Sequence, residues 1–141
     1  MDSSQLLALI PALRGRTVAV VGLSSQRGRA SHGVARSLIA HGYDVIPVNP
    51  QEREVFGLKA FPDLLSVDRP IDIVDVFRRS ELVMPHAEEA IAVGAKVLWL
   101  QDGVIAPEAA QRAHEAGLRV VMDRCMARDL GAFQIPDRPR A

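Results

Sequence analysis

Three times along this chain a run of helical character stops at a glycine, and a short run rich in Val, Ile and Leu follows almost at once: Gly42, Gly94 and Gly117 stand at these junctions. Glycine accepts the left-handed backbone that closes a helix. The repeat therefore spells helix, glycine, strand, and it commits the chain to alternating elements. The expected strands are Thr17–Val21, Tyr43–Val48, Ile71–Phe77, Lys96–Leu100 and Arg119–Met122; the expected helices are about Ser31–His41, Ser80–Val93 and Pro107–Ala116. Each strand is almost continuously apolar, as parallel strands covered on both faces must be. Alternation of this kind predicts an α/β fold: a doubly wound, Rossmann-like parallel sheet of about five strands, in the order 3-2-1-4-5, with helices on both faces. Gly57–Phe61 is expected to add a brief strand, and Asp63–Ser66 a short helix after Pro62.

At 141 residues the chain makes one domain. Residues 1–16 read as an N-terminal helix capped by Ser3 or Ser4, 17–130 as the sheet domain, and 131–141, with Pro136 and Pro139, as a loose tail. The apolar stretch Leu6–Ile10 follows Asp2 with no basic residue and meets Pro11, which suits neither a membrane span nor a signal peptide. Lys plus Arg, 17 in all, balances 17 Asp plus Glu, so nothing in the overall charge points to nucleic acid. Cys125 is the one cysteine, which precludes a disulfide within the chain and a closed thiolate zinc site, and fits a reducing cytoplasm.

Open parallel sheets bind ligands at the carboxyl ends of their strands, so function is sought in the residues that follow each one. After the first strand come Gly22, Ser24, Ser25, Arg27, Gly28, Arg29 and Ser31. Gly22 allows a tight turn, the serines offer hydroxyls, and the following helix aims its free N–H groups at the loop, which favours an anion. Arg27 and Arg29 add donors suited to phosphate. The spacing departs from G-x-G-x-x-G. The second strand ends Pro47-Val48-Asn49-Pro50, where nicotinamide-dinucleotide domains place an acidic residue for the ribose. Asn49 reads either as a donor to a base edge or ribose, or as part of a rigid turn.

Further candidates stand at the later strand ends: Phe77, Arg78 and Arg79, with one arginine toward the cleft; Gln101, Asp102 and Gly103; and Asp123, Arg124 and Cys125. Trp99 inside its strand reads as core. No G-x-S-x-G, H-E-x-x-H or P-loop occurs. Of the histidines only His32 falls near the expected cleft, without a carboxylate partner in sequence.

Taken in order, these pieces resemble the small stand-alone CoA-binding domain proteins, a Rossmann-type family related to the CoA-binding domain of the succinyl-CoA synthetase alpha subunit. The resemblance runs from about Thr17 to Leu130 and rests on Val20–Ser25, Arg29, Ser31, Gly33-Val34, Gly42–Pro50, Val76–Ser80, Gly94–Gln101 and Asp123–Met126. It implies a CoA ligand, with Ser24, Ser25, Arg29 and Ser31 toward the phosphates, Val48, Asn49 and Pro50 on the adenosine side, and Phe77 and Arg78 next. Where the family pattern tends to prolines near positions 27 and 30, this chain has Arg27 and Ala30. The synthetase's second domain, with its phosphorylated histidine, has no counterpart here, so ligase activity does not carry over.

The expectation is a non-catalytic protein holding CoA or an acyl-CoA at the carboxyl edge of the sheet, with neither nucleic acid nor membrane as partner. The alternative is an NAD(P)-binding enzyme or subunit using the same cleft. A third reading is a relative in fold alone, whose site has decayed or serves protein contact.

Overall fold

The computed structural model describes residues 9–132. Seven strands run in chain order: β1 Thr17–Val21, β2 Asp44–Val48, β3 Glu54–Val55, β4 Leu58–Lys59, β5 Ile73–Val76, β6 Val97–Leu100 and β7 Arg119–Val121. Among the described residues, 9–12 are helical, as expected of the N-terminal segment; the helices that follow are α1 Ala30–Ala40, α2 Val83–Ala92, which follows the 3-10 turn Ser80–Leu82, α3 Pro107–Glu115 and α4 Met126–Ala132. Gly42, Gly94 and Gly117 all carry positive φ between helix and strand, so the pattern that predicts the alternation also builds it.

Five strands form one parallel sheet in the order β2-β1-β5-β6-β7. The Rossmann-like α/β architecture is as the sequence predicts, but the place of the third long strand is not. Counted along the chain, the long strands stand in the order 2-1-3-4-5. The position beyond β2, which the order 3-2-1-4-5 gives to a third strand, holds a single parallel bridge from Val48 to Phe61. Pro47 supplies the reason. Its carbonyl accepts from the Phe61 N–H on the outer edge of β2, and a residue in a parallel strand points its N and O to the same side. The proline thus puts no donor on that edge, and a full ladder cannot form there. The preceding residues make a two-stranded hairpin, β3–β4, instead. Asp63–Ser66 forms a turn rather than the expected short helix: the Asp63 carboxylate accepts from the Ser66 N–H, a local bond that replaces helical ones.

Strand residues alternate between two cores. Val21, Ile46, Val74 and Leu98 face α2 and α3. Val20, Val45, Ile73 and Trp99 face α1, α4 and the segment that brings Leu9 and Leu13. The Tyr43 hydroxyl donates to the Leu13 carbonyl and ties that segment to the edge of the sheet. Helix α4, absent from the expected elements, forms because Met126 and Leu130, four residues apart, both bury in the second core. The first two residues of the expected tail, Gly131 and Ala132, belong to this helix; the rest of the tail, and the Ser3 or Ser4 cap, lie outside the described residues.

Candidate functional site

Strand β1 has β2 on one side and β5 on the other, so the chain leaves its neighbours in opposite directions and a crevice opens above the carboxyl ends. A cleft of about 800 Å³ occupies this place, within the range of small-molecule sites. Its lining comes from the loop after β1 and the start of α1 (Gly22, Ser24–Gln26, Arg29–Ser31 and Val34), from the turn after β2 (Asn49, Gln51 and Glu52), from Phe77–Arg79, from Gln101–Val104 and from Cys125.

The loop after β1 begins at Gly22, whose φ is +85° and whose missing Cβ would stand 2.5 Å from the Phe77 carbonyl oxygen. Only glycine brings β1 and β5 this close. Leu23 is buried and anchors the loop. Beyond it the loop folds on its own hydroxyls: the Ser24 N–H donates to Ser31 Oγ at 3.1 Å, and the Gln26 N–H to Ser24 Oγ at 3.0 Å. Both serines still have their own O–H to donate into the cleft. Helix α1 then starts at Ala30 with no side-chain cap and no acidic residue in its first turn, so its positive end is not countered.

The turn after β2 is strapped to this loop. Asn49 Nδ2 donates to the Leu23 carbonyl at 3.0 Å, and Asn49 Oδ1 accepts from the Gln51 N–H at 3.0 Å. The Asn49 amide is thus engaged in holding the turn, in keeping with a rigid-turn role. From the same turn the Glu52 carboxylate accepts from the Ser25 N–H at 2.8 Å.

The opposite wall follows β5 and β6. Arg78 and Arg79 both line the cleft and are both exposed; Arg79 pairs loosely with Glu81 at 3.6 Å. Arg29 and Arg78 enter no ion pair among the described residues. Below the wall lies Asp75, fully buried, its Oδ1 accepting from Gln101 Nε2 at 2.5 Å and its Oδ2 without a partner. Burial pushes the Asp75 carboxyl up to about 7, against the pull of the Gln101 amide. Because Gln101 turns its NH₂ toward Asp75, its carbonyl oxygen is the group offered to the cleft. Asp102 is taken by Arg128 in a two-bond pair at 2.9 Å, which holds its carboxyl below the usual range.

Of the residues named from sequence, Gly22, Ser24, Ser25, Arg29, Ser31, Asn49, Phe77 and Arg78 come together around one cleft. Arg27 and Pro50 are exposed and do not line it, and the Val48 side chain packs in the core. His32 is buried, stacked on Phe56 with ring centroids 4.4 Å apart, and is also outside the lining. Sequence reasoning missed Glu52 and Asp75. Glu52 lies four residues past the end of β2 and three past Asn49, where an acidic group was sought; Asp75 sits inside the apolar run Ile73–Val76, where a lone acid was itself the signal.

Comparison with known proteins agrees with the fold. The chain is 46% identical over 113 residues to the uncharacterized protein YneT of Bacillus subtilis, covering 80% of this chain and 84% of that one. It is 25% identical over 121 residues to an ADP-forming acetate–CoA ligase of Archaeoglobus fulgidus, of which it spans only 18%. Among solved structures, a hypothetical protein from Pyrococcus horikoshii superposes with a TM-score of 0.87 at 38% identity, covering 92% of each chain. The family model of the CoA binding domain matches residues 16–130, the whole sheet with its helices. The chain belongs to this CoA-binding domain family.

Proposed function

We propose that this protein is a CoA-binding module without catalytic machinery of its own, holding CoA or an acyl-CoA at the carboxyl edge of the sheet. The observation that carries the reading is one cleft that joins the serine-rich loop, the uncapped start of α1 and two guanidinium groups free of ion pairs, Arg29 and Arg78. These donors suit a phosphate chain. The ADP half fits between the first loop and the turn after β2, and the pantetheine arm then runs along Phe77 toward Gln101, whose carbonyl oxygen suits an amide N–H. Bound CoA would supply the thiol that carries an acyl group; the residues here hold and orient it.

The lining of the cleft supports the reading of a binding module. His32 is stacked on Phe56 outside the lining, Asp102 is committed to Arg128, and among the described residues no serine hydroxyl or cysteine thiol of the lining donates to a carboxylate or an imidazole; the Glu52 carboxylate is engaged by the Ser25 N–H instead. The ligase relatives are far longer chains, and their chemistry is not transferred to this one. Asn49, tied to Leu23 where a ribose-reading acid stands in nicotinamide-dinucleotide domains, disfavours NAD. The lone Cys125 suits a reducing compartment such as the cytoplasm.

The test is calorimetry and thermal shift with CoA, acetyl-CoA, NAD, NADP and ATP. CoA and acetyl-CoA should bind and raise the melting temperature by mass action. No heat and no shift at millimolar CoA rejects the reading; a selective response to NADP favours the alternative.

A further inference from the structure

We propose that Glu52 is a built-in occupant of the phosphate site: its carboxylate holds the Ser25 N–H in the free protein, and a phosphate-bearing ligand binds by displacing it. Glu52 thereby sets how much negative charge a ligand must bring to enter the first loop. The inference rests on the placement of phosphate at that loop and adds a specificity-determining residue to it.

Three successive loop N–H groups have acceptors, and they differ in kind. Those of Ser24 and Gln26 go to neutral hydroxyls within the loop and its helix, Ser31 Oγ and Ser24 Oγ. That of Ser25 goes to a carboxylate from a different element, at 2.8 Å, the length of a charge-assisted bond. Glu52 lines the cleft along with Arg29 and Arg78, yet it makes no ion pair among the described residues; its carboxylate is spent on a backbone amide instead. An anionic oxygen on a loop amide beside a helix start is the arrangement a phosphate oxygen takes. Carboxylate and phosphate cannot share one N–H without repulsion, so one must leave.

The turn is built to let Glu52 go. Asn49 straps it to the first loop independently, through Nδ2 to the Leu23 carbonyl, and caps it through Oδ1 to the Gln51 N–H. The Glu52 backbone is held by its own N–H to the Asn49 carbonyl at 3.2 Å. Swinging the side chain away therefore leaves the turn and the cleft wall in place.

The opposing idea is that Glu52 stays and accepts a ribose hydroxyl, as acids after the second strand do in dinucleotide domains. Glu52→Gln removes the charge but keeps an acceptor; Glu52→Ala removes both. Each is titrated by calorimetry with CoA, inorganic pyrophosphate and adenosine, after thermal melting shows that at least one variant folds like the parent. We expect pyrophosphate and CoA to bind about 3- to 30-fold tighter to the variants, the scale of one charge-assisted hydrogen bond in a partly open site, with adenosine unchanged. In the parent, pyrophosphate should shift the Ser25 amide and the Glu52 carboxyl resonances together. Unchanged or weaker pyrophosphate binding in the variants overturns the proposal, as does weaker binding of adenosine, which marks a ribose contact. If CoA fails on every chain while pyrophosphate still tightens, the CoA reading falls and the role of Glu52 stands. If pyrophosphate binds none of them, the role of Glu52 is overturned.

Discussion

At the scale of single residues, the site depends on one missing Cβ and a few guanidinium groups. Gly22 has both a positive φ and a backbone oxygen 2.5 Å from where a Cβ would be. Gly22→Ala should therefore cost at least about 2 kcal/mol of stability, read by urea denaturation; a loss within experimental error would mean that β1 and β5 can part without penalty. The arginines divide by position. Arg29→Ala is expected to weaken CoA binding about 10- to 100-fold, as for a charge-assisted contact, with melting unchanged. Arg27 is exposed outside the cleft, so Arg27→Ala should leave affinity nearly as it was, while Arg29 and Arg78 changed together should cost more than either alone. An Arg27 effect equal to that of Arg29 would place the phosphates elsewhere. These distinctions were only partly legible in sequence: Arg27 and Arg29 look alike there, and the way the loop wraps onto Ser31 places Arg29 on the cleft lining and Arg27 outside it.

At the scale of elements, the contact between β5 and β6 carries a titratable group in its interior. Asp75 faces Val20 and Trp99 across the ladder and holds its proton up to about pH 7 because it is buried. Its pKa is raised above the unfolded value near 3.8. The native state therefore binds more protons than the unfolded one between those limits, and stability falls as pH rises through that window. Asp75→Asn removes the ionisation and keeps an acceptor for Gln101. The variant should match the parent near pH 4.5 and exceed it at pH 8 by roughly 2–4 kcal/mol, measured by denaturant titration at each pH. Parallel stability curves for the two proteins would show that Asp75 ionises without strain. The turn after β2 shows the same dependence on partners. Asn49 is legible as a turn residue, but its bond to Leu23 joins two segments far apart in sequence.

At the scale of the whole molecule, the carboxyl ends of β1, β2, β5 and β6 and the loop after β7 meet over one cavity. A ligand bound there shields what lines it, and Cys125 lies on that lining, half-buried. With CoA at about ten times its Kd, alkylation of Cys125 by iodoacetamide should slow about tenfold, the saturation factor that also gives about 1.4 kcal/mol of stabilisation. Mass spectrometry of the labelled protein gives the rate, and the same rate with and without bound CoA would place the ligand clear of the β7 end.

The sequence by itself determined the alternation of elements, because closing a helix at Gly42, Gly94 and Gly117 is a local matter of backbone sterics, and it determined which strands are covered on both faces, because burial is written in their unbroken apolar runs. It also pointed to the loop after β1, which lines the cleft, as the candidate anion site, since glycine, serine hydroxyls and a helix start follow one another there. The tertiary structure alone decided the rest. The place of β5 beside β1 depends on which edge of β2 the Pro47 nitrogen faces. The burial of Asp75 depends on neighbours from two other strands. The hold of Glu52 on Ser25 spans 27 positions of chain. Each of these is a contact between distant segments, and no periodicity or local propensity records which atoms a fold will bring within hydrogen-bonding distance.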